Sequence, residues 1–111
     1  MNLREIDAHF SIAEQVYTSD FETLHQLGYT DIVCNRPDGE DPSQPTFAEL
    51  EMEAATHGLR THYLAFDGKD YSPDHVEGLR EVLAEARGKV VAFCRTGHRS
   101  LLLYTRADAD E

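Results

Sequence analysis

An α/β fold, three layers with helices on both faces of a small, mostly parallel sheet, is predicted by three observations. Strand-like and helix-like stretches alternate along the chain, and the connections are long enough for right-handed crossovers. The apolar, β-branched run at residues 90–93, VVAF, reads as a buried strand. Such a sheet sends its strand-to-helix loops out at the carboxyl edge, where open α/β sheets place their sites. The loops at residues 36–46, 67–71 and 94–99 should therefore converge.

The elements follow in order. Residues 9–15 are a short apolar-polar stretch, expected as an edge strand. Ser19-Asp20-Phe21-Glu22 matches a capping box and opens a helix over residues 20–27, with Phe21, Leu24 and Leu27 on one face and Gly28 at its end. TDIVCN, residues 30–35, is the next strand. RPDGEDPSQPT, residues 36–46, holds three prolines and a glycine and cannot continue either element. A loop this long in a small domain is functional or mobile.

Thr46 and Glu49 form a second capping box, opening a helix with Phe47, Leu50 and Ala54 inward and Gly58 at its close. Residues 59–66 are a third strand. Ser72-Pro73 pairs an N-cap with proline at the first helical position, and Val76, Leu79, Val82, Leu83 and Ala86 form the apolar stripe of the longest helix, ending before Gly88. The last strand is Lys89–Phe93, and the acidic end, residues 107–111, is expected to be frayed and solvated.

The 111 residues suit a single domain spanning 1–111. With 21 acidic against 10 basic residues the net charge is −11, which makes nucleic acid and anionic membranes poor partners. No apolar run approaches the roughly 20 residues of a membrane span. The first ten residues lack the apolar stretch of a signal peptide, so the two cysteines read as cytoplasmic thiols. The six histidines show no dense ligand spacing, so neither a metal nor another cofactor is expected.

The chemistry concentrates at Cys94-Arg95-Thr96-Gly97-His98-Arg99-Ser100. A thiol between a strand end and a helix start faces backbone N–H groups at the positive end of the helix, which favours thiolate and anion. Gly97 lets the loop turn its N–H groups inward, and Arg99 offers a planar fork to an oxyanion. Ser100 could cap the helix or donate to the sulfur, and protonated His98 would lower the thiol pKa unless it points to solvent. The bland alternative is an inert core cysteine, but a core thiol gains nothing from two arginines and a histidine within five residues. A small positive pocket on an acidic body favours small anionic or polarisable substrates. Cys34 is either a relay thiol or a packed strand residue, and Arg36 either binds an anion or pins its own loop to the neighbouring acids.

The stretch from Cys34 to Pro42 with Gln44-Pro45, the helix after it, and Phe93 to Ser100 together resemble the bacterial β-lactamase hydrolase-like phosphatase family, a branch of the dual-specificity phosphatase fold. The resemblance covers nearly the whole chain. It implies a cysteine-dependent site at Cys94 and Arg99, with Arg95, Thr96, Gly97, His98, Ser100 and Arg36 around the anion. It also implies a general acid in the 67–71 loop, for which Asp67 and Asp70 are candidates, though neither falls in a motif that fixes the match and the simpler reading of both is as solvated turn residues.

Phosphatases of this fold have five residues between cysteine and arginine, whereas this chain has four, and C-x-x-G-x-R-S is similar to the active loop of rhodanese sulfurtransferases. A shorter ring suits a persulfide sulfur better than a phosphoryl group. The resemblance extends to proteins fused to, or encoded beside, metallo-β-lactamase-type persulfide dioxygenases, which implies such a partner. Sulfur transfer through Cys94 is therefore the leading expectation. Phosphate-ester hydrolysis through a phosphocysteine is the alternative, and a non-catalytic anion-binding or regulatory domain is the third. Shortness of the helix behind the loop is the argument for the third.

Overall fold

The computed structural model describes residues 1–109. Five strands and four helices form it: β1 (Leu3–Glu5), β2 (Phe10–Ala13), α1 (Phe21–Gln26), β3 (Tyr29–Cys34), α2 (Phe47–Thr56), β4 (Arg60–Tyr63), α3 (Pro73–Glu85), β5 (Lys89–Phe93) and α4 (His98–Asp108). The sheet order is β1-β2-β5-β3-β4, parallel throughout except for antiparallel β1. Stretch 9–15 is thus not an edge. Its strand lies inside the sheet, paired with both β1 and β5, and β1 forms the edge. Three residues reading LRE, none of them buried, carry no periodic signal by which β1 could be foreseen.

Two apolar layers sandwich the sheet. Val90 and Ala92 of β5 point with Phe10, Ile12 and Val33 toward α3 and α4, meeting Val76, Leu79, Val82, Leu103 and Tyr104. Val91 and Phe93 point the other way with Ile32 and Cys34, against Phe21 and Leu24 of α1 and Leu50 and Ala54 of α2. This alternation is the two-residue period of a strand, and it makes β5 the buried centre of the fold.

Several boundaries differ from expectation. The first helix is preceded by a 3-10 turn, Thr18–Asp20, in which Asp20 accepts the Tyr17 N–H at 2.8 Å. The Ser19–Glu22 capping box does not form, because that turn places Asp20 where it caps one residue group earlier. Leu27 follows α1 and is exposed, since the helix ends before it can turn inward. Thr46 and Ser72 cap α2 and α3 as expected.

Strand β4 is shorter than residues 59–66, although Leu64 and Phe66 still donate to the Cys34 and Asn35 carbonyls. Helix α4 runs eleven residues and buries Leu103, Tyr104 and Ala107, so the loop before it is firmly backed. Ala107 is therefore core and not the start of a solvated tail, and residues 110 and 111 of that tail lie outside the described residues. Among the described residues, no helix is long and apolar enough to cross a membrane.

Candidate active site

Strand β5 ends at Phe93 and delivers Cys94 to the carboxyl edge, where its N–H donates to the Ala13 carbonyl of β2 at 3.3 Å. The chain then reverses through Gly97, at φ 92° and ψ −12°, which is the N-cap of α4. That left-handed conformation costs a side-chain-bearing residue about 1–2 kcal/mol, so glycine belongs there. Its N–H donates to the Cys94 Sγ at 3.0 Å.

Cys94 is fully buried, and burial alone would raise its pKa. The opposing effect is larger: the backbone N–H groups of Ser100, Thr96, Arg99 and Gly97 all donate toward the sulfur, and together they hold the thiol below its ordinary value. A group with a lowered pKa stabilises the fold above its unfolded pKa, about 8.5 for a thiol, and that contribution fades as pH falls through the folded value. The rate of iodoacetamide alkylation at Cys94 is accordingly expected to rise with pH to a midpoint below that of a free thiol. A midpoint at or above the free-thiol value would remove the case for a stabilised thiolate.

Arg99 completes the ring. Its Nη1 and Nη2 donate to Glu40 Oε2 and Oε1 at 2.8 and 2.9 Å, and Nη1 donates also to the Phe66 carbonyl at 3.0 Å. The Cys94 sulfur, after Glu40, adds to the influences that raise the Arg99 pKa, so the guanidinium and a thiolate favour one another. Exposed ion pairs contribute only about 0.2–1 kcal/mol, but this one is bidentate and its arginine side chain is only 12% exposed. Such a pair fixes geometry as well as charge. The two arginines in turn hold the Glu40 carboxyl below the usual carboxylate range, with Arg99 the larger influence.

The predicted convergence of three loops is observed. A cleft of about 490 Å³ is lined by Arg36, Glu40 and Asp41 from the first loop, Gly68 from the second, and Arg95 and Arg99 from the third. The 36–46 loop is tied down at several points. Arg36 is buried and donates to Glu40 at 3.0 Å and to Gln15 at 2.8 Å. Asp38 receives the Phe47 N–H, its own N–H goes to the Tyr63 hydroxyl, and Gln44 donates to the Pro37 carbonyl. Pinning is thus what the Arg36 side chain does, while still facing the cleft.

The remaining sequence candidates separate. Arg95, Thr96 and His98 are exposed, and His98 is the first residue of α4, with its N–H on the Thr96 hydroxyl at 3.3 Å. Ser100 is not the helix cap, because Gly97 takes that place one turn earlier. Its buried hydroxyl has no hydrogen-bond partner among the described residues. Asp67 and Asp70 are exposed in a turn closed by the Asp70 N–H on the Asp67 carbonyl, and only Gly68 between them lines the cleft.

Cys34 pairs in register with Phe93 and shares its apolar layer, where burial pushes its thiol up to about 12. It donates to the Arg36 carbonyl at 3.2 Å and is a packed strand residue. The Glu40–Arg99 pair and Gln15 escape sequence reasoning. Glu40 stands visibly four residues after Arg36, but nothing in the spacing links it to a residue 59 positions away.

Comparison with known proteins places the fold and the family. Residues 2–110 match the family described as β-lactamase hydrolase-like protein, phosphatase-like domain. A β-lactamase hydrolase-like protein of Agrobacterium fabrum is 31% identical over 109 residues, covering 98% of this chain and 25% of the relative. The chain thus spans about a quarter of the length of the curated relatives it matches. Among solved structures, a candidate phosphatase from Neisseria meningitidis Z2491 is 37% identical with a TM-score of 0.81, covering 90% of this chain and 71% of that one. Pseudomonas aeruginosa TpbA, solved in complex with phosphotyrosine, shares the fold at 14% identity and a TM-score of 0.62, covering 86% of this chain and 54% of its own. The fold is that of the dual-specificity phosphatases, and the chain belongs to the phosphatase-like domain family of β-lactamase hydrolase-like proteins.

Proposed function

We propose that this chain hydrolyses phosphate monoesters through a phosphocysteine at Cys94. The observation that carries the proposal is the ring of four backbone N–H groups around the Cys94 sulfur, with the Arg99 guanidinium fixed beside it. A phosphoryl group seated there would take its charge stabilisation from those amides and from Arg99. The likeness to a candidate phosphatase at 37% identity, and a fold that in TpbA holds phosphotyrosine, support the phosphoryl reading over the sulfur one.

The Cys94 thiolate attacks phosphorus, forming the S–P bond as the P–O bond to the leaving group breaks. Water then attacks phosphorus, releasing inorganic phosphate and returning the electron pair to sulfur.

Protonation of the leaving oxygen is the weak step. The carboxyls that line the cleft, Glu40 and Asp41, are both held below the usual range, Glu40 by Arg99 and Asp41 by the Ser43 hydroxyl, so both are ionised at neutral pH. The rate is therefore expected to depend steeply on leaving-group pKa, with aryl phosphates far ahead of alkyl phosphates and Asp67→Asn or Asp70→Asn changing little. A flat dependence that becomes steep in either variant would identify that aspartate as the acid.

A second reading, transfer of a sulfane sulfur through a Cys94 persulfide, rests on the four-residue spacing and on the convergence of the amides on one atom. A thiol or cyanide acceptor would attack the outer sulfur and need no acid. Incubation with an aryl phosphate or with thiosulfate, followed by intact mass, separates the two. A phosphoryl adduct at Cys94 supports hydrolysis and an added sulfur supports transfer. Absence of both leaves a domain that only binds anions.

A further inference from the structure

Arg99 is held by Glu40, which raises the question of what holds Glu40. The carboxylate lies on a long loop, and a bidentate pair can swing as a unit unless something anchors it. Arg36 supplies the first anchor, donating from Nε to Glu40 Oε1 at 3.0 Å. Gln15 supplies the second: its Oε1 accepts from Arg36 Nη1 at 2.8 Å, while its Nε2 donates to the Val16 carbonyl at 2.8 Å.

The donation to Val16 fixes which way the amide faces, since only the oxygen can then meet the guanidinium. Gln15 is 6% exposed, and Val16 beside it is fully buried. The side chain therefore stands two residues past the end of β2, the strand that also receives the Cys94 N–H through Ala13. The amide is also neutral, so Arg36, Arg99 and Glu40 together keep one net positive charge for an anion.

We propose that Gln15 is a positioning residue for Arg99, tying the guanidinium to the buried segment that follows β2 through Arg36 and Glu40. The proposal rests on the Cys94–Arg99 loop being the reactive centre, whichever reaction runs there. Misplacing a catalytic group by a fraction of an ångström to one ångström costs rate more than binding. An apolar residue at 15 would also leave a guanidinium N–H of Arg36 buried without an acceptor, so Arg36 would reorient and release Glu40.

The test compares Gln15→Met, which has similar length and no acceptor, with Gln15→Glu, which keeps an oxygen for Arg36. For Gln15→Met, kcat on an aryl phosphate is expected to fall about tenfold to a hundredfold with KM little changed. The alkylation midpoint of Cys94 is expected to rise, because a displaced Arg99 no longer favours thiolate. Gln15→Glu should recover most of kcat and the midpoint while raising KM, since it adds a negative charge near an anion site. A Gln15→Met variant with wild-type kcat and midpoint would overturn the proposal even if its Tm fell, as would a Gln15→Glu variant as impaired in kcat as Gln15→Met. The alkylation midpoint reads the tether directly, so it tests the proposal even if phosphate hydrolysis is not the reaction.

Discussion

Cys94→Ser is expected to lower kcat for aryl-phosphate hydrolysis at least about a thousandfold. The four amides around position 94 can favour a thiolate, whose ordinary pKa is near 8.5, but they cannot ionise a serine hydroxyl at neutral pH. The amide ring and Arg99 are untouched by the substitution, so binding of inorganic phosphate or tungstate, measured by calorimetry, should survive. Loss of turnover with retained anion binding assigns the sulfur a chemical role. Turnover close to wild type would mean that the reaction does not pass through Cys94.

The second large effect is expected at Arg99. Arg99→Lys keeps the charge but removes the fork that meets both Glu40 oxygens and the Phe66 carbonyl at once. Because one donor aimed at developing charge contributes about 10²–10³ in kcat, a loss of that order is expected, together with a raised KM. Steady-state kinetics alongside a thermal melt would check it. A lysine variant with wild-type kcat would show that a positive charge is enough, and that the bidentate geometry is incidental.

Both expectations depend on features of different legibility. The strand Lys89–Phe93, the α2 and α3 caps at Thr46 and Ser72, and the convergence of three loops at one edge are written in local patterns: an apolar run, capping residues at fixed offsets, and strand-helix alternation. The Cys94–Arg99 loop is legible for the same reason, since its chemistry fits within six consecutive residues.

Strand β1 and the interior place of β2 were not legible, because a strand's neighbours depend on pairing across the sheet and not on its own residues. The acid candidates show the same limit. Asp67 and Asp70 sit on the right loop, yet the orientation of that turn gives the cleft Gly68 and leaves both carboxylates in solvent.

By itself, then, the sequence determined the α/β class, the edge at which the three loops meet, and the candidate cysteine and arginine placed there. It also determined the spacing of four residues that keeps a sulfur-transfer reading alive beside the phosphatase one. Only the tertiary structure decided how Arg99 is held, through Glu40 and Arg36 to Gln15, and that Cys34 is packed in an apolar layer with its thiol on the Arg36 carbonyl. The physical reason is range. Caps, turns and apolar periods act between residues a few positions apart, whereas the acceptors that aim a guanidinium come from wherever the sheet order brings them, here from positions 21 and 59 residues apart in the chain.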